Sequence, residues 1–461
     1  MKKLISFLLC TVLLCTAAPV SALASAQDQF VPVLRFIASS DSHVKADDDR
    51  NFDRIGAMLK QAYALADGDS VYKNLDALMM AGDLTNADTR EEFEKYWRAV
   101  SFAKRDETAL LAVVAKNHDG WNMSRKEMCS CFSDLTGEAP DFHKTVCGYH
   151  FIGLSASDID SVHYSKTQLS WLREQLDLAV ADTPDKPVFF MHHEHNRNTV
   201  YGSSSFDGWG VKYFNKILKE YPQVVDFSGH SHYPLNDPRS IWQKEFTAIG
   251  TGALYYAEFT IDFDRGYDPP DCYDAGTYWI VEVNKDGNIH LRGFDVDANK
   301  LLCEYTLPNP ADPANRPFDQ KKLKAASRAP VFPADTMLTA KQTGRGEVSI
   351  AAPTAASTDG QPIVLYRVTV KNKLGLTVDK QWYLPHYYVA DKLEESIPFT
   401  VQGLAKGSYT VRVVAETAYG VQSEALSNEI KVENGANAVA AFFRLLARPF
   451  KLLFHAVKAV F

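Results

Sequence analysis

The sequence predicts an α/β domain followed by an all-β sandwich. Between Val33 and about Tyr305, short apolar runs alternate with amphipathic segments, the layout of an α/β domain. Beyond about residue 331 only short alternating runs remain, and a stretch rich in Pro, Ala and Lys separates the two regions. A chain of 461 residues is too long for one ordinary domain. Its 46% apolar and 23% charged content suits a globular protein with a sizeable core. The net charge of -8 argues against a nucleic-acid partner.

The start, "MKKLISFLLCTVLLCTAAPVSALASAQ", reads as a signal peptide over residues 1–26, with Lys2 and Lys3 before an apolar stretch and small residues near Ala24 and Ala26. Cys10 and Cys15 each follow a leucine, which disfavours a lipoprotein cleavage site, so export is expected. No later stretch is long and apolar enough to span a membrane. Export leaves five cysteines (129, 131, 147, 272 and 303), an odd number in an oxidising compartment.

Within residues 27–306, "VLRFIAS", "LDALMMAG", "ALLAVVA", "PVFFMH" and "VVDFSG" read as strands buried on both faces. Helices are expected around 52–65, 90–102, 166–180 and 211–220. "FTAIGTGALYYAEFTID" and "TYWIVEVNKDGNIHLRGFDVD" suggest antiparallel strands, with Asp286-Gly287 as a hairpin turn. Residues 307–330 read as a linker and 331–433 as the sandwich. In the tail, 434–461, Arg444, Arg448, Lys451, His455 and Lys458 form one helical stripe among apolar residues. Such a basic amphipathic helix suits an anionic membrane surface, or the tail packs on its own domain.

The strand ends carry the chemistry. They finish in "SSDSHV" (Asp41, His43), "MAGDLTN" (Asp83), "VVAKNHDG" (Asn117, His118), "FFMHHEH" (His192, His193, His195) and "FSGHSH" (His230, His232). In open α/β sheets the carboxyl ends of the strands border the ligand crevice. Alternate residues of an extended segment point the same way, so Asp41 with His43, and His230 with His232, can converge. Carboxylate, imidazole and amide oxygen suit first-row metals such as Mn, Fe or Zn, and the set is too large for one tetrahedral ion.

In this order, D-x-H, G-D, N-H-D, H-H and G-H-x-H resemble the calcineurin-like metallophosphoesterase superfamily over roughly residues 33 to 300. The resemblance implies an α/β sandwich of two mixed sheets flanked by helices, and two divalent or trivalent metal ions. Asp41, His43 and His232 would hold the first ion, Asp83 would bridge, and Asn117, His192 and His230 would hold the second. His118 would act on the phosphoryl or leaving oxygen, with His193 and His195 as neighbouring or substrate contacts. Independently of the resemblance, Arg197 in the polar loop after His192 is a candidate to meet a substrate phosphate. Three positions depart from the family pattern. Lys116 stands where glycine usually precedes Asn-His, and Asn86 stands where purple acid phosphatases carry a metal-binding tyrosine and many relatives an aspartate. Glu194 replaces a proline.

"GLAKGSYTVRVVAETAYGVQSEALSNEI", with Tyr409, resembles the last strands of a fibronectin type III domain, although the early tryptophan is absent from "GEVSIAAP". The loop "EHNRNTVYGSSSFDGWG" is expected to lie over the metals, where Tyr201 or Trp209 can stack on a substrate ring. The expected function is a secreted hydrolase of phosphomonoesters or phosphodiesters. The alternative is an inert cell-surface protein that uses the same fold, with the sandwich, to bind cell wall or membrane.

Overall fold

The computed structural model describes residues 30–157, 164–262, 264–392 and 394–437. The expected signal peptide, and the tail beyond residue 437, lie outside the described residues.

The five apolar runs form strands, and they divide between two six-stranded mixed sheets. In the first, Pro32–Ser39, Ala77–Ala81 and Ala109–Val113 pair in parallel. Thr277–Asn284, Ile289–Asp295 and Lys300–Leu307 extend that sheet antiparallel, with Gly287 at φ 78° in the turn after Asp286. In the second sheet, Tyr149–Gly153, Val188–Met191, Val224–Ser228 and Thr247–Gly250 run parallel. Phe142–Val146 and Ile241–Gln243 close its edges antiparallel. The start of "FTAIGTGALYYAEFTID" therefore pairs antiparallel with Ile241–Gln243, as expected, but parallel with Val224–Ser228 on its other side. Phe259–Ile261 pairs antiparallel with Asp264–Tyr267.

The sheets pack face to face through alternate strand residues, which is why the central strands are apolar on both sides. Phe36 meets Phe151, Phe189 and Phe227 edge-on at centroid distances of 5.2, 5.0 and 6.0 Å. Helices cover the outer faces: Arg50–Gly68, Arg90–Ala103 and Arg125–Thr136 on the first sheet, Lys166–Asp182 on the second. Their starts are written locally. Thr89 accepts from the Glu92 amide, and Ser124 and Ser165 form capping boxes with Glu127 and Gln168. The Arg125–Thr136 helix escaped the periodicity reading although Ser124 to Glu127 spell its cap. The helix expected over 211–220 shrinks to Asn215–Leu218, with Pro222 just beyond.

Seven strands follow among the described residues, in sheets of three and four around Val348, Val368, Val401 and Val411. The Tyr409 hydroxyl donates to the Ala405 carbonyl at 2.8 Å, the tyrosine-corner bond of Greek-key sandwiches. The expected linker is no free tether. Arg316 is buried and donates to Pro222 O, Pro310 O and Thr247 Oγ1. Gln320, at the start of the helix Gln320–Ala326, donates to Pro238 O at 3.3 Å and to Ile241 O at 2.5 Å. The sandwich docks on the α/β domain through Tyr387, Tyr388 and Val389, which join Ala257, Phe259 and Ile261 in one apolar cluster. Asn236 Nδ2 donates to Tyr387 O at 2.6 Å, and Arg367 pairs with Asp262 at 2.7 Å.

Candidate metal centre

The parallel strands of both sheets end at one rim, and the chain turns there under strain. Asp41, His43, Asp83, His230 and His232 have φ of 51°, 42°, 49°, 73° and 56°, in the left-handed region that few residues other than glycine adopt. Each such residue costs on the order of 1–3 kcal/mol and persists only where its surroundings enforce it. Backbone bonds enforce it here: the Asp41 amide donates to Gly82 O and the His43 amide to Asp83 O, both at 3.0 Å. Two glycines make room. A Cβ on Gly229 would lie 2.3 Å from Asp41 Oδ2, and one on Gly82 would lie 2.8 Å from His193 Nδ1.

The side chains gather in three overlapping groups: Asp41, His43 and His232; His43, Asp83 and His118; and Asp83, His193 and His230. Within each group the candidate ligand atoms all lie within 4.8 Å of one another. His43 Nε2 lies 3.2 Å from His232 Nε2, and His232 Nε2 lies 3.1 Å from Asp41 Oδ1. His193 Nε2 lies 3.1 Å from both Asp83 Oδ2 and His230 Nδ1. Asn117 Nδ2 donates to Asp83 Oδ2 at 3.1 Å. Asp83 touches both halves of the cluster.

Electrostatics follows from this crowding. Burial works against ionisation of Asp41 and Asp83. The imidazoles of His232 beside the first and His193 beside the second outweigh it, and both carboxyls stay below the usual carboxylate range. Burial lowers His43 and His230 to about 4. His193 and His232 are raised, because the neighbouring Asp83 and Asp41 charges overcome burial. Ring nitrogens and carboxylate oxygens thus face one another in a buried space. Their oxygen and imidazole chemistry fits first-row cations, and the division into two lobes sharing Asp83 fits two of them.

Of the residues expected at the centre, the structure brings together Asp41, His43, Asp83, Asn117, His118, His230 and His232, but not His192. Strand alternation explains the correction. His192 continues the Val188–Met191 strand on the side of Phe190, stacks on that ring at 5.1 Å, and lies 2.9 Å from Asp226 through Nε2. The chain then turns, and His193 faces the cluster, its Nδ1–H fixed on Ala81 O at 2.9 Å. His195 is also corrected as a substrate contact: it is buried between Ser228 Oγ at 2.8 Å and Ser231 Oγ at 2.6 Å. Arg197 lies on the wall of a cleft that reaches His230.

Two of the three departures resolve simply. The Asn86 carbonyl accepts from His118 Nδ1 at 2.7 Å, so backbone does the orienting and leaves Nε2 free for chemistry. Lys116 lies outside the left-handed region and spends its ammonium on the carbonyls of Gly120 and Met123. Sequence reasoning passed over Asp119, which is fully buried, accepts from the Thr85 and Ala115 amides at 2.8 and 2.9 Å, and ties two of the ligand loops together. Its signal was the acid in "NHDG". Burial and the Asp83 charge push it up to about 7.

Fold and site together define a class of protein: an α/β sandwich that collects carboxylates and imidazoles able to hold metal cations at the rim of its sheets. No family model and no curated protein matches the chain. Among solved structures it is similar to a purple acid phosphatase from yellow lupin (Lupinus luteus) seeds, at 12% identity and a TM-score of 0.42, over 66% of this chain and 57% of that one. The chain thus spans little more than half of the lupin protein's length. Shorter likenesses join it to the twitchin kinase region of C. elegans (18% identity, TM-score 0.17, 23% and 17% of the two chains). Another is to a family 76 glycoside hydrolase from a bovine Bacteroides thetaiotaomicron strain (17%, TM-score 0.18, 23% and 21%).

Proposed function

We propose that the chain is an exported phosphoesterase that hydrolyses phosphomonoesters or phosphodiesters with two Mn, Fe or Zn ions. The observation that carries this reading is the convergence of Asp41, His43, Asp83, His193, His230 and His232 from separate strand ends into two lobes sharing one carboxylate. Asp41, His43 and His232 would hold one ion, His193, His230 and Asn117 the other, with Asp83 between them. Bound cations supply Lewis-acid charge that polarises a phosphoryl oxygen and lowers the pKa of water.

The chain's own part is positioning and proton transfer. His118 reaches the cluster beside His43, with ring centroids 4.4 Å apart. With Nδ1 fixed on a carbonyl, Nε2 is the ring nitrogen left to exchange a proton with a leaving oxygen. Tyr255 and Tyr256 lie against His43 and His232, at 5.2 and 4.1 Å, and Trp121 against His118 at 5.7 Å, so aromatic surface flanks the reacting phosphate. Phosphoryl transfer asks for little more from side chains than this. The sandwich is read as fibronectin type III-like, and the tail as an anchor on anionic membrane or cell wall.

The test is hydrolysis of bis(p-nitrophenyl) phosphate and p-nitrophenyl phosphate by metal-loaded full chain, beside the Asp83→Ala and His118→Ala variants. Asp83→Ala is expected to abolish turnover, and His118→Ala to lower kcat about 10²–10⁴-fold. Unchanged turnover in both variants sinks the assignment.

A further inference from the structure

Beside the centre, a cleft of about 360 Å³ opens at His230 and is lined by Arg197, Trp209, Lys212, Tyr213 and Glu194. The Trp209 indole stands edge to face against His230 at 5.1 Å, so the cleft continues from the second lobe of the cluster. Its charges are unbalanced. Arg197 uses Nε on Gly210 O at 3.1 Å, and its terminal guanidinium nitrogens meet no acceptor among the described residues. Lys212 is exposed and meets no acid among the described residues. The facing acid, Glu194, is buried and accepts from the Tyr164 hydroxyl at 3.1 Å. Trp209 Nε1 is buried and has no acceptor among the described residues. An aromatic plane, an unpartnered N–H donor and two open cations therefore share one hollow next to the reacting phosphate.

We propose that this cleft is a second-anion subsite. The substrate carries, beyond the phosphoryl group at the centre, a flat ring that lies along Trp209 and a carboxylate or second phosphate that meets Arg197 and Lys212. A guanidinium and an ammonium on one ligand anion give charge-assisted hydrogen bonds, about twice as strong as neutral ones. The proposal rests on the phosphoesterase reading, since it treats the cluster as the place where the first phosphate sits.

The experiment is calorimetric titration of the full chain with 4-carboxyphenylphosphonate and with phenylphosphonate, which cannot be hydrolysed as esters. Steady-state kinetics on 4-carboxyphenyl phosphate and phenyl phosphate run in parallel. The carboxylated phosphonate is expected to bind roughly tenfold tighter, with a matching ratio of KM values. Lys212→Ala and Arg197→Gln are each expected to shrink the ratio, the double variant to bring it to about one, and Arg197→Lys to keep most of it. Lys212 is exposed and without a partner among the described residues, so its truncation leaves the fold intact. Equal binding of the two phosphonates, or a preference untouched by the double variant, overturns the subsite. A phosphonate preference in a protein that hydrolyses neither ester upholds the subsite and defeats the phosphoesterase reading instead.

Discussion

The neighbouring histidines His192 and His193 are expected to fail in opposite ways when truncated. His193 Nε2 stands 3.1 Å from both Asp83 Oδ2 and His230 Nδ1 and is one of four side chains around the second lobe. Metal binding of about 10–16 kcal/mol spread over four donors gives about 2.5–4 kcal/mol for each. His193→Ala should therefore weaken metal binding about 10²–10³-fold. It leaves the core nearly undisturbed, because the ring faces the cluster. His192 is the reverse: its ring packs on Phe190 and Phe214 at 5.1 and 4.5 Å and partners Asp226, which keeps only the Asn196 amide at 2.7 Å once the imidazole is gone. A cavity beside a half-satisfied buried carboxylate costs about 3–5 kcal/mol. Elemental analysis after gel filtration and urea unfolding at pH 7 read the two losses separately. Metal lost from the His192 variant, with His193→Ala still loaded, would refute the assignment of faces.

Other outcomes follow from single contacts. Gly229→Ala puts a Cβ 2.3 Å from Asp41 Oδ2, so the variant should fold, by circular dichroism, yet purify with a fraction of the wild-type metal. Glu282 accepts from buried Arg35 at 2.6 Å and pairs with Arg292 at 3.0 Å, and its removal should cost about 3–5 kcal/mol at pH 7. Burial works to raise that carboxyl, but His290, Arg292 and Arg35 hold it below its usual range. Its contribution is thus complete above the ordinary carboxylate pKa and is lost as pH falls through the depressed native value. The gap in urea midpoint between wild type and Glu282→Ala should close in acid, and a gap that widened there would contradict the pairing.

The order of the apolar runs and the residues that end them were legible because both follow from local rules. A strand buried on both faces must be apolar throughout, and a ligand at its end must be Asp, Asn or His. What escaped depends on what the chain does one or two residues past the strand. In "FFMHHEH" either of the first two histidines can face the cluster, and only the continued alternation through His192 decides between them. Asn86 looked deficient because its side chain was judged, whereas its carbonyl does the work. The parallel side of Thr247–Gly250 escaped because it is set by the distant Val224–Ser228 partner, which no local pattern encodes. Residues 307–330 looked like a tether by composition, yet Arg316 and Gln320 are fixed by carbonyls tens of residues away.

That fixed crossing has a mechanical result. With the Pro-rich passage stitched to the second sheet and the Tyr387–Val389 loop seated among Ala257, Phe259 and Ile261, the two halves of the molecule share one nonpolar seam. Heating should melt them as a single cooperative body. An amputated α/β half would carry its raw, greasy face into solution and clump, so the terminal module acts here as a keystone more than as a bead on a string.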